Sequence, residues 1–205
     1  MKEATTNEKL ILEAAEEEFF LKGYSGAKTT SIAKKAGVTH AMLHYYYRTK
    51  ENLFQKVFQQ KVRMIGDSFE VIFDEDLPFE TIVKTFVETH FEFLMKNPGL
   101  VHFVQNEVRA NNENIVILRE ILLSKVQSIV KHLEKKLKKE IAKGNIRPIE
   151  PLELLTSIVS LNLSASIFYS VTEQLGLYKN PGQVKKLLKK KKEENVKYIL
   201  HSLKP

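Results

Sequence analysis

The helical spacing of apolar residues is the feature that most constrains this chain. In the stretch before GNIRP (144–148), apolar side chains recur every three or four residues: Leu118, Leu122, Val126, Ile129, Leu133 and Leu137. That spacing places them on one face of a long α-helix. The same period dominates elsewhere, we find no alternating strand pattern, and DEDLP (74–78) and two NPG triplets (97–99 and 180–182) separate the helices. The sequence predicts an all-α fold of roughly nine helices.

Cysteine usage and apolar runs limit the class of protein. None of the 205 residues is cysteine, so disulfides, thiolate metal sites and thiol nucleophiles are excluded, which suits a reducing cytoplasm. The acidic N-terminus lacks the layout of a signal peptide. The uncharged run from Leu154 to Thr172 contains eight polar residues, whereas a membrane span is predominantly apolar. We therefore predict a cytoplasmic protein without a membrane partner, in which this run is a buried helix.

Basic residues are concentrated in one interval. Residues 22–63 carry nine Lys or Arg side chains against Glu51 alone, a net charge of +8. This interval contributes more than the formal net charge of +7 for the whole chain. Such a block is typical of a surface that meets a polyanion, although a solvated face would explain the charge alone equally well.

Within that interval the sequence predicts a helix-turn-helix. A first helix, with a capping box at Thr5 and Glu8, stops at Gly23. A short helix over about 30–36 then ends at Gly37, and Thr39 and Thr49 cap the next two helices. On the helix after the turn, three side chains are predicted to face inward: Val38, Leu43 and Tyr47. The N-terminal residues of such a helix can contact base edges in the major groove.

Three segments carry a resemblance to a known family. ILEAAEEEFFLKGY (11–24), IAKKAGV (32–38) and LHYYYRTKENLF (43–54) have the order and spacing of the TetR-type transcriptional regulators, which this chain resembles. The resemblance implies a helix-turn-helix DNA-binding domain over residues 1–50. It implies an effector-binding and dimerisation domain over residues 51–205, connected by a helix from about 50 to 66.

The resemblance also assigns residues to double-stranded DNA. The positions that match the family's base and backbone contacts are Thr39, His40, Ala41, Met42, His44, Tyr45, Tyr46 and Lys50. Ahead of the second helix the chain departs from the family's frequent Thr-Thr or Thr-Ser, because Ala27 and Lys28 stand there and the threonines come later, so the candidates for that DNA contact are Lys28, Thr29 and Thr30. Tyr46 and Lys50 match phosphate positions, and Lys50 lies beside a helix N-terminus, which itself favours anions. The chain departs from the family at Ala41, where glycine is frequent, and at His44, where tyrosine is frequent. The operator sequence therefore cannot be predicted from the residues that are frequent at these positions in the family.

The two histidines have an alternative interpretation. His40 and His44 are spaced i, i+4, which can chelate a metal on one helical face. No Asp, Glu or Cys lies between residues 19 and 50 to complete a site. We expect base or phosphate contact instead, with no metal and no cofactor.

The middle helices are rich in phenylalanine and predict a pocket for a small effector. The candidate lining combines aromatic rings with a few polar groups: Phe69, Phe73, Phe86, His90, Phe93, His102, Phe103, Gln105 and Tyr169. A plain hydrophobic core explains any single member of this set better. Taken with the resemblance, the whole set favours a pocket for an apolar or amphiphilic effector.

Small residues on a late helix predict a homodimer. The candidate interface consists of Ser157, Ser160, Leu161, Ser164, Ala165 and Phe168. The resemblance implies that this helix and the last one form a four-helix interface with a second copy. A twofold dimer would present two recognition helices to a pseudo-palindromic operator. The lysine-rich stretch over 185–192 fits a solvated helix face better than a second nucleic-acid contact.

These observations lead to one preferred function and two alternatives. We predict a ligand-responsive DNA-binding regulator, most simply a repressor that its effector releases from DNA. The alternatives are an all-helical small-molecule carrier and an architectural DNA-binding protein without an effector. An enzyme is disfavoured because the chain has no nucleophile elbow, Gly-rich phosphate loop or metal-ligand cluster.

Overall fold

A computed structural model of the chain describes residues 2–69, 77–177 and 180–205. Within these ranges the backbone forms nine α-helices and no strand, which confirms the all-α prediction. The helices are α1 (Lys2–Gly26), α2 (Thr29–Lys35), α3 (His40–Tyr47), α4 (Lys50–Asp67), α5 (Phe79–Lys96), α6 (Leu100–Ala110), α7 (Asn112–Ala142), α8 (Pro151–Gln174) and α9 (Pro181–Ser202).

Local capping signals fix several of these boundaries. The Thr39 hydroxyl accepts a hydrogen bond from the Met42 N–H at 3.2 Å and so caps α3. The Thr49 hydroxyl does the same for the Asn52 N–H at 3.1 Å, before α4. Gly99 adopts a left-handed φ of 83° between α5 and α6, where a side chain would be strained. These predicted boundaries are confirmed.

The first helix differs from the prediction at its start. It is already helical from Lys2, so the predicted start at Thr5 was wrong. The side chain of Thr5 lies outside the described residues, and its capping box with Glu8 stays a prediction. At Gly23, with φ 66° and ψ 176°, the helix is interrupted as predicted, and one more short turn follows up to Gly26.

The helices pack as two compact units. The head unit contains Met1–Met64 and Gly99–Leu122, and the body unit contains Ile65–Pro98 and Leu123–Pro205. By packing, α6 and the first part of α7 therefore group with the helix-turn-helix. The functional boundary between residues 50 and 51 stays a prediction.

An aromatic cluster forms the centre of the head unit. The Phe54 ring on α4 lies 5.1 Å from the Phe19 ring on α1 and 6.2 Å from the Phe103 ring on α6, measured between centroids. Leu43 of α3 and Ile32 of α2 are fully buried in the same unit. The predicted inward face of the helix-turn-helix is confirmed for Leu43 and Tyr47, whereas Val38 is only half-buried. This core fixes the orientation of the short helices.

In the body unit, α5 packs against α8 and α9 around an apolar core that contains a short polar chain. The buried Asn162 side chain on α8 donates to the Val87 carbonyl at 2.9 Å and to His90 Nδ1 at 3.1 Å. Asn195 on α9 donates to Asn162 Oδ1 at 2.9 Å. These bonds join three helices and compensate in part for burying polar groups, since Asn195 Oδ1 has no hydrogen-bond partner among the described residues.

Helix α8 is buried on one side only. By length and composition it is the one helix within the described ranges that could cross a membrane, and 22% of its apolar window is buried. Leu154, Leu155 and Ile158 face the core, while Phe168 is 68% exposed. The prediction of a buried helix therefore holds for one face of α8 and fails for the other.

Burial of His90 should make the stability of the protein pH-dependent. Burial lowers the pKa of His90 to about 4, whereas the pKa of histidine in an unfolded chain is about 6.5. Between these values the unfolded state binds a proton that the native state does not, so stability falls as the pH falls from about 6.5 to about 4. One such group accounts for a loss of up to about 3 kcal/mol.

The measurement is urea unfolding of wild type, His90→Gln and His102→Gln over this pH range. We expect the stability of the His90→Gln variant to depend less on pH than that of wild type. The His102→Gln variant should follow wild type, since His102 is exposed. A His90→Gln curve parallel to that of wild type would contradict the assignment.

Candidate nucleic-acid interface

The recognition helix α3 is held by one cap and two buried side chains. The Thr39 cap begins it, and Leu43 and Tyr47, one turn apart, face the head core. The Tyr47 hydroxyl donates to the Glu8 carbonyl at 3.5 Å, and burial raises the pKa of Tyr47 above its ordinary value. Because one side of α3 is fixed in this way, its other side is presented in a defined orientation.

The opposite side of α3 is at the surface. Thr39, His40, Ala41, His44 and Tyr45 are exposed, and the exposed fraction of Tyr45 reaches 82%. Met42 and Tyr46 are half-buried, and the Tyr45 and Tyr46 rings meet edge-on at 5.5 Å. A tyrosine exposed to this extent offers both a ring and a hydroxyl to a partner surface. The structure thus places these predicted residues on one side of a short helix, and their contact with DNA stays a prediction.

The two histidines are each tied to the surrounding backbone or side chains. His44 Nδ1 lies 2.7 Å from the Arg48 carbonyl oxygen, so this nitrogen donates and carries a proton. His40 Nε2 lies 3.0 Å from the Thr29 hydroxyl, which links α3 to the start of α2. The two rings meet edge-on with centroids 4.4 Å apart. No group of three or more His, Asp or Glu side chains gathers within the described residues, so nothing there completes a metal site.

The predicted phosphate-binding residues lie at the starts of α2 and α4. Lys28 precedes α2 and is exposed, and Thr29 and Thr30 occupy the first turn. Lys50 opens α4, with its Nζ 4.7 Å from the centroid of the Tyr24 ring and 3.4 Å from the Ser25 carbonyl oxygen. A lysine therefore stands at each of these helix starts, and a positive charge beside a helix N-terminus favours an anion.

The basic interval is partly neutralised by the acidic triplet Glu16–Glu18. Lys22 pairs with Glu18 at 2.7 Å and lowers the pKa of that carboxyl. Lys35 pairs with Glu17, and Lys61 pairs with Glu16 at 2.5 Å. Five exposed cations of the interval have no such ion pair in the described part of the chain: Lys28, Lys34, Arg48, Lys56 and Arg63. The charge available to a polyanion is therefore smaller than the count from sequence.

The comparison with known families decides the assignment. Residues 11–57 match the family model for bacterial regulatory proteins of the tetR family. This segment runs from α1 into α4 and includes both helices of the helix-turn-helix. Residues 11–57 are therefore a DNA-binding domain of the TetR type. The family that this segment matches consists of DNA-binding transcriptional regulators.

Curated relatives are regulators of the same helix-turn-helix type. The uncharacterized HTH-type transcriptional regulator YhgD of Bacillus subtilis is 25% identical over 81% of this chain and 84% of its own. The fatty acid metabolism regulator protein of the same bacterium is 26% identical over 50% of this chain and 53% of its own.

The solved structures share the fold at lower identity. A tetR-family regulatory protein from Rhodococcus RHA1 gives a TM-score of 0.70 at 20% identity, covering 97% of both chains. The fatty acid degradation regulator FadR from Bacillus halodurans gives a TM-score of 0.61 at 20% identity, covering 92% of this chain and 97% of its own.

The residues predicted to line an effector pocket divide between the two units. In the body unit the Phe69 ring stacks on the His90 ring, with centroids 5.3 Å apart, and meets the Phe86 ring edge-on at 5.8 Å. Phe93 and Tyr169 belong to the same unit and are half-buried. In the head unit Phe103 is buried against other rings, while His102 and Gln105 are exposed. Phe73 lies outside the described residues. The effector-binding role of the set stays a prediction.

The predicted dimer residues share one face of α8. Ser157, Ser160, Ser164 and Phe168 are exposed, and Leu161 and Ala165 are half-buried. Their spacing of three and four residues makes a continuous stripe along the helix. Near its end the stripe borders an apolar cleft of about 460 Å³ between α8 and α9.

Sequence reasoning gave no role to Tyr24, Glu107 or Asn114, which the fold brings together in the head unit. The Tyr24 N–H donates to Glu107 Oε1 at 3.2 Å across 83 residues of sequence. Asn114 Nδ2 donates to the Glu107 backbone carbonyl at 2.9 Å. No local motif connects positions so far apart, so only the tertiary structure reveals them.

Two substitutions should separate positioning from base reading in the DNA complex. We expect Lys50→Ala to weaken binding to all DNA sequences and to reduce the slope of log affinity against log salt by about 1, because one phosphate contact is lost. His44→Ala should instead change preference at particular base pairs, by about 1–3 kcal/mol each. Fluorescence anisotropy on a panel of duplexes at several salt concentrations measures both effects.

The matched control for charge removal is Lys131→Ala, an exposed lysine on α7 in the body unit. It should leave both quantities at the wild-type values. Equal behaviour of the Lys50 and His44 variants across the panel would refute the division of roles.

Proposed function

We propose that this regulator is a homodimeric, cytoplasmic repressor that binds a pseudo-palindromic operator and is released by an apolar or amphiphilic effector. The exposed side of α3 is the observation that supports the DNA-binding part of this proposal. Five side chains at its start and middle face solvent, while Leu43 and Tyr47 anchor the other side. A helix so held can enter the major groove with its N-terminal residues on base edges.

The exposed stripe of α8 supports the dimer. Serine side chains at positions 157, 160 and 164 let another helix approach closely, and Phe168 offers a large apolar contact. Further exposed apolar side chains follow toward the end of the helix, at Val171 and Leu175. A twofold axis through this face would repeat the recognition helix and would require two operator half-sites.

The effector class rests on the chemistry of the body unit and on the names of relatives. The Phe69 and Phe86 rings pack beside His90, whose Nδ1 is bound by Asn162, and the rest of this core is apolar, as a ligand with a hydrocarbon part requires. Two relatives are named for fatty acid metabolism or degradation. We therefore propose a fatty acid or a derivative of one as the effector.

Release from DNA follows from differential binding. The effector must bind one arrangement of the dimer more tightly than the other, since a ligand with equal affinity for both shifts nothing. The DNA-bound arrangement would hold the two α3 helices one helical turn of DNA apart. The effector would stabilise an arrangement in which the distance between the two α3 helices no longer matches the DNA.

The dimer is tested by Phe168→Glu. A carboxylate in place of an exposed ring should leave the protomer folded but should place a charge inside the proposed interface, where its desolvation is unfavourable. Sedimentation velocity should then show a monomer where wild type is a dimer. The control is Leu123→Glu, a partly exposed apolar residue on α7 outside the stripe. A variant at Phe168 that still sediments as a dimer would refute the proposed interface.

The DNA function is tested by selecting genomic fragments with the purified protein at near-physiological salt. An enriched pseudo-palindrome is the expected result. Salt-sensitive binding without a motif would favour an architectural protein, and no binding by ligand-free protein would favour a carrier.

The effector is then tested by titrating fatty acids of increasing chain length into the protein–DNA complex. We expect operator affinity to fall by about tenfold to a hundredfold, the usual range of coupling between two sites. A fatty acid that binds the protein but leaves operator affinity unchanged would refute the release mechanism.

A further inference from the structure

The head unit contains a cleft that none of the roles above uses. It has a volume of about 460 Å³ and lies where the end of α1, the start of α4, the end of α6 and the start of α7 meet. Its size falls within the range of ligand sites in proteins. Six of the residues that line it carry the argument: Lys22, Tyr24, Glu51, Phe54, Glu107 and Asn114.

The Glu107 carboxylate is the central group of this cleft. Glu107 is only 7% exposed. Among the described residues, the one hydrogen bond to its carboxylate comes from the Tyr24 N–H at 3.2 Å. No Lys, Arg or His in that part of the chain lies within ion-pair distance of it. Lys22, which also lines the cleft, is engaged with Glu18 at 2.7 Å. The Glu107 carboxylate thus has a hydrogen bond but no counter-charge, and a cation in the cleft would supply one.

A second carboxylate and an amide add to the polarity of the cleft. Glu51 Oε1 accepts from Gln55 Nε2 at 2.8 Å, and a hydrogen bond to Glu51 raises the pKa of Tyr24. Asn114 is 1% exposed, and its Oδ1 accepts from the same Gln55 nitrogen at 3.3 Å. The lining therefore presents two negative charges on an ordered network, and its lysine is neutralised by a neighbour.

Aromatic rings provide the third component. The Tyr24 and Phe54 rings line the cleft and meet edge-on at 5.0 Å. Tyr24 already attracts one cation, the Lys50 ammonium at 4.7 Å from its centroid. Ring faces beside carboxylates bind ammonium groups, because the ring quadrupole attracts positive charge and the alkyl part of the ligand packs against carbon.

From these observations we propose that the cleft binds a small organic ammonium ion. A divalent metal fits less well: hard metal ions take six or more oxygen ligands, often several carboxylates, and the described residues gather no group of three or more acidic or histidine side chains. The site is distinct from the proposed fatty-acid site in the body unit, and its test requires neither DNA nor that effector.

The position of the site suggests its consequence for the head unit. The Glu107 carboxylate accepts a hydrogen bond from the backbone N–H of Tyr24, which directly follows the interruption of α1 at Gly23. An ammonium ion bound to Glu107 and Glu51 would connect α6 to the start of α4 across this point. Binding should therefore stabilise the head unit against unfolding, because a ligand that binds only the native state adds to its stability.

The test is isothermal titration of the full chain with 1,4-diaminobutane at constant ionic strength. Its neutral analogue 1,4-butanediol is the matched control ligand. We expect saturable binding of the diamine and at least about tenfold weaker binding of the diol, because hydrogen bonds to charged groups are the stronger ones. Comparable affinity for both ligands, or no saturable binding of the diamine, would overturn the proposal.

Variants locate the site within the head unit. Glu107→Gln keeps an acceptor for the Tyr24 N–H but removes the charge, and should weaken diamine binding at least about tenfold. Glu113→Gln makes the same change at an exposed position of α7 outside the cleft and should bind like wild type. Glu51→Gln provides a second removal of charge if the Glu107 variant does not fold. Equal binding by the folded cleft variants and the Glu113 control would overturn the assignment, as would displacement of the diamine by equimolar Mg²⁺.

Discussion

The packing of the Phe54 ring is the interaction on which the head unit depends. This one side chain on α4 contacts rings from α1 and from α6, and it also meets Tyr24 beside the cleft. Aromatic pairs of this kind contribute about 0.5–1.5 kcal/mol each beyond the area they bury. Because α2 packs on α1 and α3 packs on α2, the orientation of the recognition helix follows from this cluster. The same cluster forms one wall of the proposed ammonium site.

Features encoded within one turn of helix could be predicted from sequence. The caps at Thr39 and Thr49 and the inward positions of Leu43 and Tyr47 depend only on local geometry and on the 3.6-residue period. The start of α1 was mispredicted, because a capping box specifies where a helix can begin and does not forbid an earlier start. Family membership, which the three motif segments suggested, was confirmed over 11–57.

Features that need tertiary contacts could not be predicted in this way. The neutralisation of Lys35 and Lys61 by the acidic triplet requires the folded head, although the Lys22–Glu18 pair at i, i+4 was visible in the sequence. The cleft around Glu107 is assembled from four helices and has no sequence signature. Likewise, the count of phenylalanines in the middle helices did not reveal that Phe103 packs in the head and Phe86 in the body.

The uncovered stripe of α8 has a consequence for how the protein would behave at low abundance. If two copies must meet along this face before both recognition helices can engage an operator, the amount of active protein varies with the square of the protomer concentration when protomers are scarce. A twofold dilution at cell division would then reduce occupancy more than twofold. Control of the target genes would become steeper without any cooperativity between operators.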